Sequence, residues 1–585
     1  VSDGIPERHV IFDTEAHRTI TSSGERQTFS LAAAEYLRFT RDAGPEIVKA
    51  RAYDAPEQLW EDILRFTRSR HRTIVWCHNL AYDLRVARGL EILPEMGLEL
   101  KGIVLDYTSS WAKFAGGGRS LLCCDITSWL PHTLKTLGKD LGQRPTPLPG
   151  NNGDRQLLLK HCARDVQITR SAVEEILRLV TNERLGPWRA TGAGQSHAAW
   201  RRRFMSTSPL CHDDEDALTA ERRAMWTGRC EAWRWGKIKH SPVWEYDLAL
   251  AYPAIAASEQ LPEALIGRAG AVPIQHLLAK AASRAVLADV TVTTDTPLVP
   301  CAANKLIHWP VGTFRTTLWD PELQLLAEHQ AQVHVHQAWL YTRGDALKAF
   351  SSWLLDAVQD GGGEHSQLQR RALKHMSRAV VGRFAMRYRS WEEEAQMPDS
   401  RLRLGEEHDL RTGERWETLQ VGHTFMTLGG HELAEDAAPQ ITGWVMSECR
   451  RRLYQLVLIA GEEHVLYMDT DSLIVTSTGA ERLNMAIDRG EGWGLRVKHK
   501  HPRLTINGPR QLQLGAHRRL AGVPSDALQV KPGVYEGEMF SGLRESIAQG
   551  DAGAVMVQQR QFKMTGIDTR RLHLPDGQTA PHVVG

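Results

Sequence analysis

Between positions 465 and 475 the chain reads Val-Leu-Tyr-Met-Asp-Thr-Asp-Ser-Leu-Ile-Val, two apolar runs separated by Asp469, Thr470 and Asp471. Short apolar runs this close together read as strands that fold back on one another. The segment therefore predicts a hairpin with both carboxylates at its tip. Residues two apart in extended backbone point to the same side, which brings Asp469 and Asp471 together. Like charges so close repel, and hydrophobic strands solvate them poorly. A divalent cation offsets both costs, and hard oxygen ligands favour magnesium or manganese. The same residues also suit a turn whose Asp side chains cap backbone amides, and the segment alone leaves both readings open.

Other fragments narrow the choice. Trp244-Glu245-Tyr246-Asp247 is a short strand ending in an acid, followed by Leu248-Ala249-Leu250-Ala251-Tyr252-Pro253. Alone, Asp247 reads as a helix N-cap. With Asp469 and Asp471 it completes a three-carboxylate cage for two metals, which would stabilise both oxygens of an in-line phosphoryl displacement. Between these segments, Gln367 to Arg378 has helical periodicity, with Leu373, Met376 and Val380 on one stripe. Arg370, Lys374 and Arg378 recur every fourth residue on another face. A basic stripe facing an acid cage suits a triphosphate; a solvated amphipathic helix is the alternative.

A second acidic set lies near the N-terminus. Val10-Ile11-Phe12 and Ile74-Val75-Trp76 read as buried strands, and Val166, Val173, Ile176, Leu177 and Val180 as the apolar face of a helix. This is an α/β pattern. Asp13 and Glu15 close the first strand, Asp83 follows the second, and His161 and Asp165 sit one turn apart on the helix. Four converging acids with a histidine could hold two metals and an attacking water.

Composition sets outer bounds. The 585 residues allow several domains, and the net charge of +1 does not announce a nucleic-acid binder. Basic runs at Arg201–Arg203, Arg450–Arg452, Arg496–Arg503 and Arg518-Arg519 read first as solvated surface. No apolar run is long enough for a bilayer, and the first residues lack the pattern of a signal peptide. The eight cysteines contain no C-x-x-C pair, so neither a zinc site nor a disulfide framework is expected, and a reducing cytosol fits. Gly116-Gly117-Gly118 reads as a hairpin turn, 145–153 as a surface loop, Gly361-Gly362-Gly363 as a hinge, and 392–435 as an acidic, turn-rich insertion.

In this order the fragments resemble the motifs of family B DNA polymerases. Asp13-Thr14-Glu15, Asn79 to Asp83 and His161 to Asp165 resemble the three exonuclease motifs. Asp247 to Pro253 is similar to polymerase motif A, Lys374 to Gly382 to motif B, and Tyr467 to Ser472 matches motif C, Y-x-D-T-D-S, throughout. The compact length and a long segment between motifs A and B, with Trp309-Pro310-Val311-Gly312-Thr313-Phe314 and Pro321-Glu322-Leu323, resemble the protein-primed branch of phages and linear plasmids.

The resemblance implies α/β and α+β domains: an RNase H-like 3′→5′ exonuclease domain (1–190), then a right-hand polymerase. Its parts would be a palm (191–261 and 433–505), fingers (350–390), a thumb (506–585) and two insertions resembling terminal-protein regions (262–349 and 391–432). It implies two magnesium or manganese ions per active site, held by Asp247, Asp469 and Asp471 in the palm and by Asp13, Glu15, Asp83 and Asp165 in the exonuclease, with His161 assisting. Leu248, Tyr252, Arg370, Lys374 and Arg378 would bind the nucleotide, Tyr252 as a steric gate against ribose. Asn79, Tyr82, Gly228, Arg229, Tyr467 and Arg510 would contact DNA. Implied partners are primer-template DNA, dNTPs and a terminal-protein primer, for a monomeric cytoplasmic enzyme of a bacterial host or virus-infected cell.

The pattern is departed from in places. Arg378-Ala379-Val380-Val381 stands where motif B has Asn-Ser-x-Tyr, and Arg510-Gln511-Leu512 where K-x-Y is usual. The alternatives are a DNA-binding relic and a protein acting mainly as a single-strand exonuclease.

Overall fold

The computed structural model describes residues 4–40, 44–104, 111–147, 154–205, 211–239, 242–303, 306–359, 365–434, 436–564 and 570–585. Gly361-Gly362-Gly363 and the 148–153 part of the expected surface loop lie outside the described residues.

The first two apolar runs become neighbouring parallel strands, Arg8–Thr21 and Arg72–Cys77. Their unbroken apolar character matches burial on both faces. Ile11 and Trp76 share a core with Val166, Val173, Ile176 and Val180 of the helix Arg155–Asn182. Val10, Phe12 and Val75 face the other way, into a core with Trp60, Leu84 and Leu93 of three shorter helices. Gly117 and Gly118, at φ 55° and 77°, turn the hairpin between Trp111–Gly116 and Arg119–Asp125, a two-residue turn that only positive φ closes neatly.

This sheet has ten strands, and three come from the far end of the chain. Leu528–Lys531, Val534–Phe540 and Val555–Lys563 continue it beyond Gly24–Thr40, with Gln27 opposite Val555. The segment 506–585, expected as one thumb, is thus divided. Gln511–Leu514 and His517–Leu520 join a four-stranded sheet with Leu504–Gly508 and Gly236–Lys237, and Val583–Val584 runs parallel to Val311–Trp319. A bare strand edge leaves amides and carbonyls unpaired; Gly44–Tyr53 covers residues 32–40 of that edge, and Val555–Lys563 covers Glu25, Arg26 and Gln27. Buried Arg85 secures the join by donating to the Ser541 carbonyl at 2.6 Å and Ser546 Oγ at 3.0 Å.

A five-stranded antiparallel sheet follows, in the order Leu495–His501, Val243–Leu248, Ser472–Val475, Val465–Asp469, Cys230–Ala232. The helix Pro439–Ala460 shares its core through Leu453 and Val457. Arg450 and Arg452 of that helix, in a run that reads as solvated surface, are buried and paired with Glu322 and Glu448, the partners that an interior guanidinium requires. Leu261–Ala269, Ala285–Thr294, Val311–Trp319 and Gln332–Gly344 build a separate sheet closed by Val583–Val584. The helices Lys348–Gln359 and Gln367–Arg383, the second opened by a Ser366–Gln369 capping box, pack on the helix Ala251–Ser258 that follows Asp247.

The acidic stretch is not turn-rich. It forms a long hairpin, Trp391–His408 against Arg415–Leu428. Leu402, Leu404, Leu419, Val421 and Met426 join the core of Leu98 and Leu100 in the N-terminal domain. That distant apolar partner, invisible locally, keeps the hairpin extended. Among the described residues no helix is long and apolar enough to cross a membrane.

Candidate active sites

The Asp-Thr-Asp segment turns as its flanks require. Asp469 lies opposite Ser472, and Thr470 takes the corner at φ 61° while its N–H donates to the Arg229 carbonyl at 2.7 Å. Asp247 pairs with Ser472 from the other side, and the Leu248 N–H donates to the Asp471 carbonyl at 2.7 Å. Three acids from two distant segments therefore meet at one end of the sheet. Burial and the Asp247 charge push the Asp471 carboxyl up to about 6, against the pull of Lys498 and Arg378. Lys498 Nζ and Arg496 Nη2 each reach Asp247 at 3.5 Å, and Arg510 holds both oxygens of Asp469 at 3.2 Å. Carboxylates that repel one another and draw in the chain's own cations are a donor set that fits hard divalent metals.

Beside them lies a cavity of about 450 Å³ lined by Ala249, Leu250, Arg370, Arg371, Lys374 and Arg496. Burial and the neighbouring cations Arg378 and Arg496 hold the Lys374 ammonium below its usual range, against Asp247. A bound polyanion would relieve that crowding. Arg378 is exposed on the same helix and acts on Asp471. Tyr252 is half-buried in the first turn after Leu250, and burial together with the nearby Asp471 and Asp469 charges raises its hydroxyl.

The N-terminal acids also converge. Asp13 and Glu15 lie within the strand Arg8–Thr21 rather than at its end, since pairing continues past a bulge after Glu15 to Thr21; Asp83 comes from the helix Leu80–Val86, and His161 and Asp165 from Arg155–Asn182. Burial and the charges of Asp83, Asp165 and Glu15 raise Asp13 well above the usual carboxylate range. Burial raises Asp83 likewise, although Thr14 donates to its Oδ1 from Oγ1 at 2.7 Å and from N at 3.1 Å. Burial and Asp165 bring Glu15 up to about 7. Asp83 Oδ2 and Asp165 Oδ1 are buried without a hydrogen-bond partner. Orphaned oxygens in a nest of acids fit metal ligation. His161 Nδ1 bonds the Thr146 carbonyl at 2.8 Å, which fixes the proton there. Its Nε2 faces Glu15 and Asp165, at 3.7 and 3.6 Å.

Cys162 and Asp125 escaped the sequence reading. The Cys162 Sγ lies within 4.8 Å of a carboxylate oxygen of both Asp13 and Glu15. Burial and those charges keep it a thiol, and it donates to the Asp13 carbonyl at 3.3 Å. Its only signal was its place beside His161. Asp125 accepts from the Asn79 and Leu80 N–H groups at 3.2 and 3.0 Å, and so seats the helix carrying Asp83. Exposed Asn79 sits at φ 76°, and the Tyr82 hydroxyl donates to Gln27 Oε1 at 2.9 Å.

Two expected DNA contacts give way. Arg229 is 1% exposed, bonded to Glu231 at 2.6 Å, with the Trp309 and Tyr454 rings each 5.2 Å away. Glu231, two residues on, supplies the counter-charge that lets it be interior. Tyr467 is also buried, its hydroxyl accepting the Arg510 N–H at 2.8 Å. The missing side chain of Gly228 lets Thr470 come close. The residues resembling an insertion motif are interior too. Besides Trp309, Glu322 accepts from Arg450 at 2.8 and 3.0 Å and from Ser447 at 2.9 Å.

No protein-family profile and no curated protein matches the chain. Solved structures do. Phi29 DNA polymerase complexed with primer-template DNA and incoming nucleotide substrates matches with a TM-score of 0.69 at 13% identity, covering 96% of this chain and 100% of that one. The same polymerase with primer-template DNA scores 0.67 at 13%, and with single-stranded DNA 0.69 at 12%, with the same coverage. Identity this low speaks for the fold alone, but over nearly the whole length: the chain has the fold of phi29 DNA polymerase, an RNase H-like domain followed by a right-hand polymerase domain.

Proposed function

We propose that the chain is a DNA-directed DNA polymerase of family B that extends a primer with dNTPs and removes nucleotides from the 3′ end in a separate exonuclease site. The observation that carries this reading is the meeting of Asp247, Asp469 and Asp471 beside the basic cavity of Arg370 and Lys374. Asp247 and Asp471 would hold two magnesium or manganese ions, with Asp469 assisting. When bound, the ions would polarise the attacking 3′-hydroxyl and take up charge on the leaving phosphate.

The chain's own residues do the remainder. Lys374 and Arg370 orient the triphosphate from the helix side, and Arg378 adds charge toward Asp471. Tyr252 closes the floor beside the sugar. In the exonuclease site Asp13, Glu15, Asp83 and Asp165 would be the ligands. His161 Nε2 accepts a proton from the attacking water, and Asn79 and Tyr82 hold the single-stranded end. Terminal-protein priming is supported by the resemblance within 262–349 and by the fold likeness.

Primer extension on a primed template with magnesium and dNTPs tests the reading. Asp471→Asn abolishes extension and spares degradation of a single-stranded oligonucleotide, whereas Asp13→Ala with Asp83→Ala does the reverse. No extension by the wild-type chain, or extension indifferent to Asp471→Asn, refutes it.

A further inference from the structure

Glu245 is a buried acid in the strand Val243–Leu248, two residues before Asp247 and on the same face, and the reaction above makes no use of it. Both of its oxygens are engaged. Arg519 donates to them at 2.7 and 2.9 Å, and His501 Nε2 lies at 2.9 Å. The neighbouring strand is bulged at this point, so that Glu245 pairs with His499 and Tyr246 with Val497. Lys498 is the extra residue, and a bulge re-aims the side chain it carries. Its Nζ stands between the two acids, 3.4 Å from Glu245 Oε1 and 3.5 Å from Asp247 Oδ1.

An ammonium shared between Asp247 and a second acid has somewhere to retire when Asp247 takes a cation. Arg496 also touches Asp247, but no contact joins it to Glu245. We propose that Lys498 is a built-in counter-ion that competes with the divalent metal for Asp247, and that Glu245 is a positioning residue that sets the balance by drawing Lys498 away. The inference rests on the reading of Asp247 and Asp471 as palm metal ligands.

Opposite signs follow. Removing the Glu245 charge leaves Lys498 to Asp247 alone and weakens metal binding. Removing the Lys498 charge strengthens it. In the Lys498→Met background, loss of Glu245 has little left to do, because the ion it restrains is gone. An acid that merely held the sheet together would weaken binding equally in both backgrounds.

The test is Mn²⁺ binding followed by electron paramagnetic resonance, in full-length protein carrying Asp13→Ala and Asp83→Ala so that the exonuclease ligands do not contribute. Glu245→Gln is expected to weaken palm binding about three- to tenfold and Lys498→Met to tighten it by a similar factor, as one charge at this separation in a partly solvated site allows. In the Lys498→Met background the Glu245→Gln effect shrinks to about twofold or less. Single-strand degradation by each substitution without the exonuclease changes checks that the protein is folded. An undiminished Glu245→Gln effect in that background, or no tightening by Lys498→Met alone, overturns the inference, and the second result stands even if Glu245→Gln fails to fold. Mn²⁺ binding unaffected by Asp471→Asn overturns the functional reading itself.

Discussion

Gly228→Ala tests how the Asp469–Asp471 turn is held. A Cβ at position 228 would lie 2.7 Å from the Thr470 side chain and 2.9 Å from its Cα, where ordinary contact begins at 3.4 Å. The side chain can rotate, but the Cα cannot, so the turn must retreat by about 0.5 Å. It is not free to do so, because the Thr470 N–H is bonded to the Arg229 carbonyl at 2.7 Å and the backbone is already at φ 61°. Asp469 and Asp471 flank Thr470 and move with it. Magnesium demands oxygens at about 2.0–2.1 Å in near-octahedral array, and a misplacement of about 1 Å costs on the order of 10²-fold in rate. Half of that displacement predicts a loss of about tenfold or more in extension, with about 1–3 kcal/mol of overpacking strain. The assay is single-turnover primer extension across a magnesium titration, with single-strand degradation by the same preparation as the reference. Extension at the wild-type rate and magnesium midpoint would refute the claim that this contact places the two acids.

Lys374→Ala should raise the apparent KM for dNTP by about tenfold or more and leave degradation unchanged, since an ammonium bound to phosphate contributes about 1.5–3 kcal/mol; an unchanged KM counts against the cavity as the triphosphate site. A second prediction concerns pH. His9 is fully buried, its Nδ1 accepting from the Trp76 indole at 3.1 Å and its Nε2 donating to the Pro6 carbonyl at 2.8 Å. Burial lowers it to about 4, while an unfolded histidine protonates near 6.5. Its stabilisation is therefore complete above pH ~6.5 and is lost as pH falls through about 4, by up to about 3 kcal/mol. Urea midpoints of wild type and His9→Gln should converge between pH 7 and pH 5, and parallel curves would disprove the assignment.

The fold elements visible in the sequence were those whose signal is local. Val10-Ile11-Phe12, the Val166–Val180 stripe and the two runs around Asp469 each state their own period, and each became the expected strand or helix. What escaped depended on a distant partner. Val555–Lys563 pairs with Glu25, Arg26 and Gln27, the part of Gly24–Thr40 that Gly44–Tyr53 leaves open, and Arg26 meets Asp551 at 2.7 Å across most of the chain. Nothing within either segment names the other. The hairpin Trp391–His408 reads as polar because its apolar side faces Leu98 and Leu100 of another domain.

The site divides along the same line. Carboxylates declare themselves because several acids in apolar strands are hard to explain without a cation, whichever strand they come from. Basic residues do not, because the same arginine can grip phosphate or neutralise a buried acid. Arg229 and Glu231 stand two apart where the strand Cys230–Ala232 begins, and that spacing was the available sign that the arginine was already spoken for. Arg519, Lys498 and His501 had no such sign, since their shared partner Glu245 lies on another part of the chain. A basic run near a catalytic acid should therefore be weighed against every acid that the fold could bring to it. Here Arg450, Arg452 and Arg519 neutralise interior acids, and Lys374, Arg378 and Arg496 are left to face the cage.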